Sequence, residues 1–414
     1  MRIGYLLPTR DWVVMDDRDL TSLVDQARLA EELGFDSVWA GDSPVTRPRA
    51  DPLLVLAAAA ALTRRVTLGT AVLLPALRHP ILLAHQLATL DLMSGGRLVA
   101  GMGAGFPTPN TEAQFEAIGI GFKRRVSRME EAIHAMRRLW SEDEVSHQGT
   151  HFAFSDVHLA PRPARRGGPP IWLAGGGSDA ALRRVARMAD GWLPYPPDHR
   201  TYATEWTSIA TQRSALPKAA GSRDTEEHDD EGTARRNPRR PGNHETSRSS
   251  REKPPGDETL ADARDARDAR DARDARDARG NQGCYQGGCR DQGEQGDRGA
   301  HGDRDDCSDR GDRGLRGLDG DPTPALYATI CLDEDPERAR LRLRTSIERY
   351  YNAPLEFVEG IQAMFAGTPE DAATWLQAYV KAGARHVVIR LAVDDHRAAL
   401  EEFAARVLPL IRHA

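Results

Sequence analysis

The stretch PIWLAGGGSDAALRRVARMADGW, residues 170–192, joins a short apolar run to a helical pattern through three glycines and a serine. The apolar run is typical of a buried strand, and the apolar residues after Ser178 recur at helical spacing. Because glycine loses more backbone entropy on folding than other residues, the triplet indicates a need for bare backbone. We therefore predict a strand, a glycine turn and a helix in this stretch.

The same unit of strand and helix recurs along the chain. Eight apolar runs are predicted strands, and they cover residues 3–8, 35–41, 66–74, 97–105, 170–176, 190–196, 324–332 and 385–391. Continuous apolar runs indicate strands buried on both faces, and eight such units predict a (β/α)8 barrel, also called a TIM barrel. A doubly wound open sheet is the alternative, but GMGAGF at 101–106 matches its dinucleotide-binding pattern only in part.

The connections between the predicted strands differ in length. Asp51 is a candidate N-cap for a helix that follows it, with Pro52 in the first turn. Residues 106–122 form a longer connection, and HQGTHFAF at 147–154 fits either a hairpin or a loop. The segment 336–381 is predicted to be helical.

Residues 213–322 differ in composition from the rest of the chain. They carry 22 basic and 26 acidic residues, and Tyr285 is their one Phe, Trp or Tyr residue. Such a segment cannot bury enough apolar surface to offset its ordering entropy, so we predict a disordered insertion between helix six and strand seven. Residues 1–212 and 323–414 would be the first and last parts of the barrel. A binding arm for a charged partner is the alternative for the insertion.

Charge and cysteine content narrow the functional class. The formal net charge of −6 over 414 residues favours neither a nucleic-acid nor a membrane partner. The longest apolar run, residues 53–62, is too short to span a bilayer, and residues 1–12 lack the pattern of a signal peptide. The cysteine spacing fits no strong zinc pattern, so no metal is expected, and Cys331 is predicted to lie in the core. We expect a cytoplasmic enzyme with a small-molecule substrate, and a homodimer is left open.

The ends of the predicted strands supply the candidate site, because the carboxyl ends of barrel strands carry the active site. Bare backbone before a helix lets an anion reach unpaired N–H groups, so a phosphate cradle is predicted at Gly175, Gly176, Gly177 and Ser178. A tight turn with Ser178 as N-cap is the alternative.

Three other strand ends carry candidate residues. Asp42 closes strand two and is either a functional carboxylate or a loop cap. His79 opens a helix and is either an acid or ligand or a simple cap. Small residues such as Gly103 at the end of strand four would let a flat ligand lie close to the backbone.

The sequence resembles the bacterial luciferase-like oxidoreductases, which use flavin or the deazaflavin F420. The resemblance rests on five stretches, which are AEELGFDSVWAGD at 30–42, RVTLGTAVL at 65–73, RHPILLAHQLATLDLMSGGRLVAGMGAG at 78–105, PPIWLAGGGSDAALRRVARMADGW at 169–192 and GTPEDAATWLQAYVKAGARHVVI at 367–389. It implies a barrel that binds FMN or F420 at the carboxyl ends of the strands. It also implies a non-proline cis peptide beside Thr70, at Ala71–Val72, that backs the cofactor ring.

The resemblance further assigns roles to predicted site residues and leaves some questions open. Asp42 matches a carboxylate that F420-using members place beside the ring, and the glycine stretch matches the phosphate site. Some F420 sugar dehydrogenases have a histidine and a glutamate where this chain has Ser43 and Phe106, so that acid/base pair is not supported. F420-dependent hydride transfer and FMN-dependent monooxygenation both stay open, and a non-catalytic flavin-binding barrel with the insertion as partner-binding arm is the alternative. The substrate pocket is expected from residues 43–50, 106–122 and the borders of the insertion.

Overall fold

Eight parallel strands form a barrel in the computed structural model, which describes residues 1–15, 19–216 and 321–412. The predicted insertion, 213–322, lies outside the described residues except at its two ends. In chain order the strands are β1 (Arg2–Leu6), β2 (Ser37–Ala40), β3 (Thr67–Thr70), β4 (Leu98–Met102), β5 (Val145–Gln148), β6 (Ala153–Val157), β7 (Ile171–Leu173), β8 (Gly191–Trp192), β9 (Thr323–Leu332), β10 (Ala363–Gly367) and β11 (His386–Leu391).

The barrel closes through strand pairing. The order around it is β9-β11-β1-β2-β3-β4-β7-β8, and β8 pairs back onto β9 through Gly191 and Thr323. All of these pairings are parallel. Each barrel strand overlaps one of the eight predicted apolar runs, so the (β/α)8 prediction is confirmed.

Helices follow the strands on the outside of the barrel. They are α1 (Asp11–Val14), α2 (Thr21–Glu32), α3 (Pro52–Leu62), α4 (Pro80–Met93), α5 (Pro109–Ala117), α6 (Arg125–Ser141), α7 (Asp179–Met188), α8 (His199–Ser214), α9 (Pro336–Tyr351), α10 (Leu355–Glu359), α11 (Pro369–Lys381), α12 (His396–Arg406) and α13 (Leu408–Arg412). Asp51 caps α3 by accepting the N–H groups of Leu53 and Leu54, as predicted. Among the residues described, no helix has the length and apolar character needed to cross a membrane.

Two tryptophans fill the interior of the barrel. Trp39 and Trp172 are buried, and their ring centroids lie 5.3 Å apart. Neighbouring strands carry glycine where a side chain would not fit: a Cβ at Gly69 would lie 2.1 Å from the Trp39 ring, and one at Gly191 would lie 2.4 Å from Trp172. The interior is therefore packed with side chains, which leaves the strand ends as the place for a site.

Three connections show where sequence patterns were insufficient. Residues 363–367 lie in the segment predicted to be helical but form β10, which pairs with β9. A five-residue apolar run cannot be assigned to helix or strand by periodicity alone, which explains the wrong prediction. The long connection 106–122 contains α5, which Thr108 caps. Of the two alternatives for residues 147–154, a hairpin or a loop, the structure shows the hairpin, in which β5 and β6 pair antiparallel.

His386 on β11 gives the fold a specific sensitivity to acid. Its Nε2 lies 2.7 Å from the hydroxyl of Ser37, which also accepts the indole N–H of Trp39 at 2.7 Å. Burial, with a smaller effect from Arg2, lowers the pKa of His386 to about 3. Between the ordinary histidine pKa and this value, the unfolded chain binds a proton that the folded chain does not.

We therefore expect the free energy of unfolding to fall as the pH drops from about 6.5 towards 3. The contribution of His386 is at most about 1.4 kcal/mol per pH unit. Urea unfolding of the wild type and of His386→Asn between pH 7.5 and 5 measures it, and the variant should lose part of the slope. Equal slopes in the two proteins would show that other groups cause the acid sensitivity.

Candidate functional site

The carboxyl end of β3 leads into a cis peptide bond between Ala71 and Val72. This is the position that the family resemblance implies, so that prediction is confirmed. The backbone is hydrogen-bonded on both sides of the bond: the Ala71 N–H donates to the carbonyl of Ala40 at 2.9 Å, and the Leu73 N–H donates to Gly101 at 2.8 Å. The cis peptide is therefore held between β2 and β4 at the carboxyl end of the barrel.

The small residues of β4 allow this close approach. The hydroxyl of Thr70 donates to the Gly101 carbonyl at 2.7 Å, and a Cβ on Gly101 would lie 1.9 Å from the Thr70 carbonyl oxygen. A Cβ on Gly103 would lie 2.8 Å from the side chain of Val72. Packing of β4 against the cis peptide thus explains both glycines. A cofactor contact of Thr70 or Gly103 stays a prediction.

Asp42 follows β2 and forms an ion pair that the sequence did not indicate. Its carboxylate accepts two hydrogen bonds from the guanidinium of Arg78, at 2.5 and 3.0 Å, and one from the Leu74 N–H at 3.0 Å. The Asp42 side chain is 2% exposed. Burial lowers the pKa of Arg78, but the hydrogen bond and charge of Asp42 outweigh it and keep the guanidinium charged. Asp42 therefore ties the loop after β2 to the segment just after the cis peptide.

His79 precedes α4 and caps it. Its Nδ1 accepts the N–H of Ile81 at 3.3 Å, and its ring lies edge-on to Phe152 with centroids 5.5 Å apart. Burial, with the nearby charge of Arg128, lowers the pKa of His79, so the neutral ring is favoured. Within the described residues, no hydrogen bond or ion pair joins His79 to Asp42. The two catalytic candidates therefore do not form one hydrogen-bonded pair.

The glycine turn connects β7 to α7 as predicted. Ser178 is the N-cap, and its hydroxyl accepts the Ala181 N–H at 3.4 Å. Gly175 and Gly177 have φ values of +127° and +73°, which residues with a side chain rarely adopt. The Gly175 carbonyl accepts the indole N–H of Trp192 at 2.7 Å. The turn therefore needs glycine for its own conformation at two positions.

A carboxylate already binds the backbone of this turn. The Gly177 N–H donates to Glu205 of α8, at 2.5 Å, and a Cβ on Gly176 would lie 2.5 Å from the same carboxylate. Burial raises the pKa of Glu205, although the hydrogen bond from Gly177 opposes the rise. One N–H of the turn thus donates to an oxyanion, and the phosphate cradle at Gly175–Ser178 stays a prediction. No local sequence pattern indicated this contact, because Glu205 lies 28 residues after Gly177 in the chain.

A family model described as luciferase-like monooxygenase matches residues 1–287. The chain belongs to the luciferase-like monooxygenase family. An F420-dependent glucose-6-phosphate dehydrogenase of Intrasporangium calvum is 39% identical to this luciferase-like protein over 184 residues, which are 41% of this chain and 52% of that enzyme. The chain spans about half the length of the F420-dependent relatives that it matches.

Solved structures share the barrel of this luciferase-like protein at low sequence identity. A monooxygenase from Streptomyces bottropensis has a TM-score of 0.64 and 21% identity, with 100% of both chains covered. The FMN-bound oxygenating constituent of 3,6-diketocamphane monooxygenase from Pseudomonas putida has a TM-score of 0.61 and 14% identity, with 99% of this chain and 98% of that chain covered. At these identities the likeness supports the fold.

Proposed function

We propose that this luciferase-like protein is an oxidoreductase that binds F420 or FMN at the carboxyl end of the barrel. The observation that carries the proposal is the segment Ala71–Leu73 at the carboxyl end of β3, which backbone hydrogen bonds fix between β2 and β4. The oxyanion-accepting turn Gly175–Ser178 lies at the same end, because it too follows a parallel strand. The segment Ala71–Leu73 would support the flat cofactor ring, and the Gly177 N–H would bind a cofactor phosphate in place of Glu205. The cofactor supplies the redox chemistry that side chains lack.

Hydride transfer with F420 is the proposed reaction. The buried carboxylate of Asp42 supports it, because it lies beside the segment that follows the cis peptide. The F420-dependent relative at 39% identity also supports it. Sugar oxidation is not proposed, because neither Ser43 nor Phe106 has a side chain that can act as the acid or base of that reaction. The Ser43 hydroxyl instead donates to Gln114 at 3.0 Å, and the Phe106 side chain is 40% exposed.

The side chains of this protein would position and shield the reacting groups. Asp42 and Arg78 fix the chain after the cis peptide, so the surface under the ring keeps its shape. Phe106, which follows β4, and Tyr195, which follows β8, have ring centroids 6.4 Å apart and offer aromatic cover at the carboxyl end of the barrel. His79 in its neutral form can donate a hydrogen bond from Nε2 while Nδ1 accepts the Ile81 N–H and caps α4.

Cofactor titration of the purified protein tests the proposal. F420 and FMN are added separately, and binding is followed by their visible absorbance. We expect F420 to bind at least about tenfold more tightly than FMN, a difference of about 1.4 kcal/mol. Reduced F420 should then be oxidised under argon by a member of a panel of ketones, aldehydes and enones.

Three other results would each change the proposal in a defined way. Binding of FMN alone, with O2 consumed by the reduced cofactor and a substrate, would support monooxygenation instead. Tight cofactor binding without oxidation by any acceptor, in argon or in air, would favour the non-catalytic flavin-binding barrel. A protein that binds neither cofactor would refute the proposal.

Glu205→Gln should tighten the binding of a phosphorylated cofactor by about threefold to tenfold, or about 0.7–1.4 kcal/mol. The variant keeps a hydrogen-bond acceptor for the Gly177 N–H but removes the negative charge that a phosphate would meet. Since burial raises the pKa of Glu205, the advantage of the variant should shrink as the pH falls and the wild-type carboxyl takes up a proton. Fluorescence titration with FMN measures the affinity.

Riboflavin, which lacks the phosphate, is the matched ligand control and should bind both proteins equally. Glu32→Gln on the exposed face of α2 is the matched protein control. If FMN binds Glu205→Gln no more tightly than the wild type, the phosphate does not lie at Gly177.

A further inference from the structure

Three arginines surround one tyrosine ring near the end of the barrel. Arg10 follows β1, Arg49 lies between β2 and α3, and Arg390 lies within β11. Their guanidinium carbons are 5.2, 5.1 and 4.0 Å from the ring centroid of Tyr350 on α9. We call these three residues the arginine cluster.

The arginine cluster is held by neutral partners. Arg10 donates to the Tyr350 carbonyl, Arg49 donates to the Tyr350 hydroxyl, and Arg390 donates to the Ser346 hydroxyl at 2.9 Å. Cation–π contacts with the ring are favourable, but they do not cancel the repulsion among three like charges.

The described part of the chain places no carboxylate within 4 Å of any of the three guanidinium groups. Asp11 contributes a favourable charge at Arg390, but its carboxylate is bound to His396 Nε2 at 2.7 Å. Burial lowers the pKa of Arg10, Tyr350 opposes this change, and the charge of Arg49 adds to it. Burial also lowers the pKa of Arg49 and of Arg390, but the neighbouring tyrosines outweigh burial and raise both pKa values, so these guanidinium groups stay charged. The arginine cluster therefore carries an excess of positive charge.

One arginine also has an unused hydrogen-bond donor. Arg390 is 7% exposed, and its Nη1 is buried without a hydrogen-bond partner in the described structure. The Nε of Arg10 is also buried without a hydrogen-bond partner among the described residues. A buried charged donor without an acceptor is destabilising, because the group has lost its hydrogen bonds to water and gained none in return. An oxyanion bound among the three guanidinium groups would satisfy both the charge and the free donors.

The arginine cluster adjoins the cis peptide. A Cβ on Gly41 would lie 3.4 Å from the guanidinium carbon of Arg49 and 3.3 Å from the Ala71 carbonyl oxygen. Tyr327 and Ala71 both pack against the same group of buried residues in the barrel interior, and Arg390 is two residues beyond Val388 of that group. An anion held by the arginine cluster would therefore lie beside the surface proposed for the cofactor ring.

The arginine cluster and the glycine turn lie on opposite sides of the barrel. The three arginines belong to β11, β1 and the connection after β2, so they are centred on β1. In the closed order β9-β11-β1-β2-β3-β4-β7-β8, the strand β7 that precedes Gly175–Ser178 is four strands from β1 in both directions. A cofactor with its phosphate at the glycine turn would not place that phosphate in the arginine cluster.

We propose that the arginine cluster binds the anionic group of the substrate, a carboxylate or a phosphate ester. Planar guanidinium groups match both oxyanions by paired hydrogen bonds. The role as a substrate site rests on the proposed function, whereas the binding of an anion by Arg49 and Arg390 does not. The substrate is thus an anionic organic molecule whose reacting carbon lies next to the cis peptide.

Calorimetric titration with benzoate, phenyl phosphate and benzyl alcohol tests the proposal. The protein is saturated with the cofactor that it binds, or used without one if it binds neither. We expect both anions to bind the wild type, and Arg49→Gln and Arg390→Gln each to weaken anion binding at least about tenfold. Benzyl alcohol, which has no charge, should show no such loss. Arg28→Gln on the exposed face of α2 is the matched control and should bind like the wild type.

Additional variants and comparisons ensure that each result either supports or overturns the proposed anion site. If Arg390→Gln does not fold, Arg49→Gln decides alone, and Arg49→Lys should recover part of the affinity. Anion binding that tightens in Glu205→Gln would place the anion at the glycine turn and overturn the proposal. So would equal anion affinity in the wild type and folded arginine variants, or no anion binding at all. Anion binding that depends on Arg49 without cofactor binding would support the anion site and refute the proposed function.

Discussion

Asp42→Ala should slow hydride transfer with F420 at least about a hundredfold, which corresponds to about 2.7 kcal/mol in activation free energy. Asp42 binds Arg78 and the Leu74 N–H, so it fixes the chain that follows the cis peptide. Loss of this support would displace the surface under the ring, whereas contacts at Gly175–Ser178 would keep the cofactor bound. A lower rate with little change in affinity indicates a lost transition-state interaction. Single-turnover oxidation of reduced F420 measures the rate, and absorbance titration measures the affinity.

The same substitution should also lower the free energy of unfolding, by about 3 kcal/mol, because it removes the hydrogen-bonded partner of a largely buried Arg78 and leaves it only the Asp51 carboxylate at 3.9 Å. The double variant Asp42→Ala with Arg78→Met removes both charges and should regain stability without regaining the rate. Asp51→Ala is the matched control: its carboxylate is 3.9 Å from Arg78, and its main task is to cap α3. It should lose about 1 kcal/mol of stability and keep the rate. Recovery of the rate in the double variant would mean that Asp42 matters only for stability.

The barrel itself could be predicted from the sequence because its signals are local. Apolar runs of strand length alternate with helical patterns, and caps such as Asp51 and Ser178 stand directly before the helices that they begin. The position of the cis peptide could also be predicted from the sequence, because the stretch around Ala71 resembles the corresponding stretch of a known family. Each of these signals lies within about twenty residues of sequence.

The contacts that give the site its charge could not be predicted in the same way. Glu205 reaches Gly177 from the following helix, and Arg78 reaches Asp42 across 36 positions. Such pairs depend on how strands and helices are placed in space, which periodicity does not report. Arg390 differs from these residues, since a charged residue within the apolar run HVVIRL is visible in the sequence itself. A buried arginine in a barrel strand requires hydrogen-bond acceptors, and Ser346 accepts from Arg390 Nη2 while Nη1 has no acceptor among the described residues.

Gly176→Asp should weaken the binding of FMN or F420 at least about tenfold, or about 1.4 kcal/mol. The new Cβ would lie 2.5 Å from the Glu205 carboxylate, so the variant would put two carboxylates at the place proposed for the phosphate. Folding should persist, because Gly176 has no positive φ and a negative charge near the start of α7 is favourable. Fluorescence titration with FMN and thermal melting measure the two effects.

Two control variants separate charge from bulk in this prediction. Gly176→Ala adds the Cβ alone and should weaken binding much less, because the end of the flexible Glu205 side chain can move away. Gly360→Asp adds the same carboxylate where the nearest atom to the new Cβ lies at an ordinary 3.4 Å, and it should bind cofactor like the wild type. Adding Glu205→Gln to Gly176→Asp should restore part of the affinity, since one of the two charges is then removed. If folded Gly176→Asp binds both cofactors as the wild type does, the turn serves only to connect β7 to α7, and the phosphate lies elsewhere.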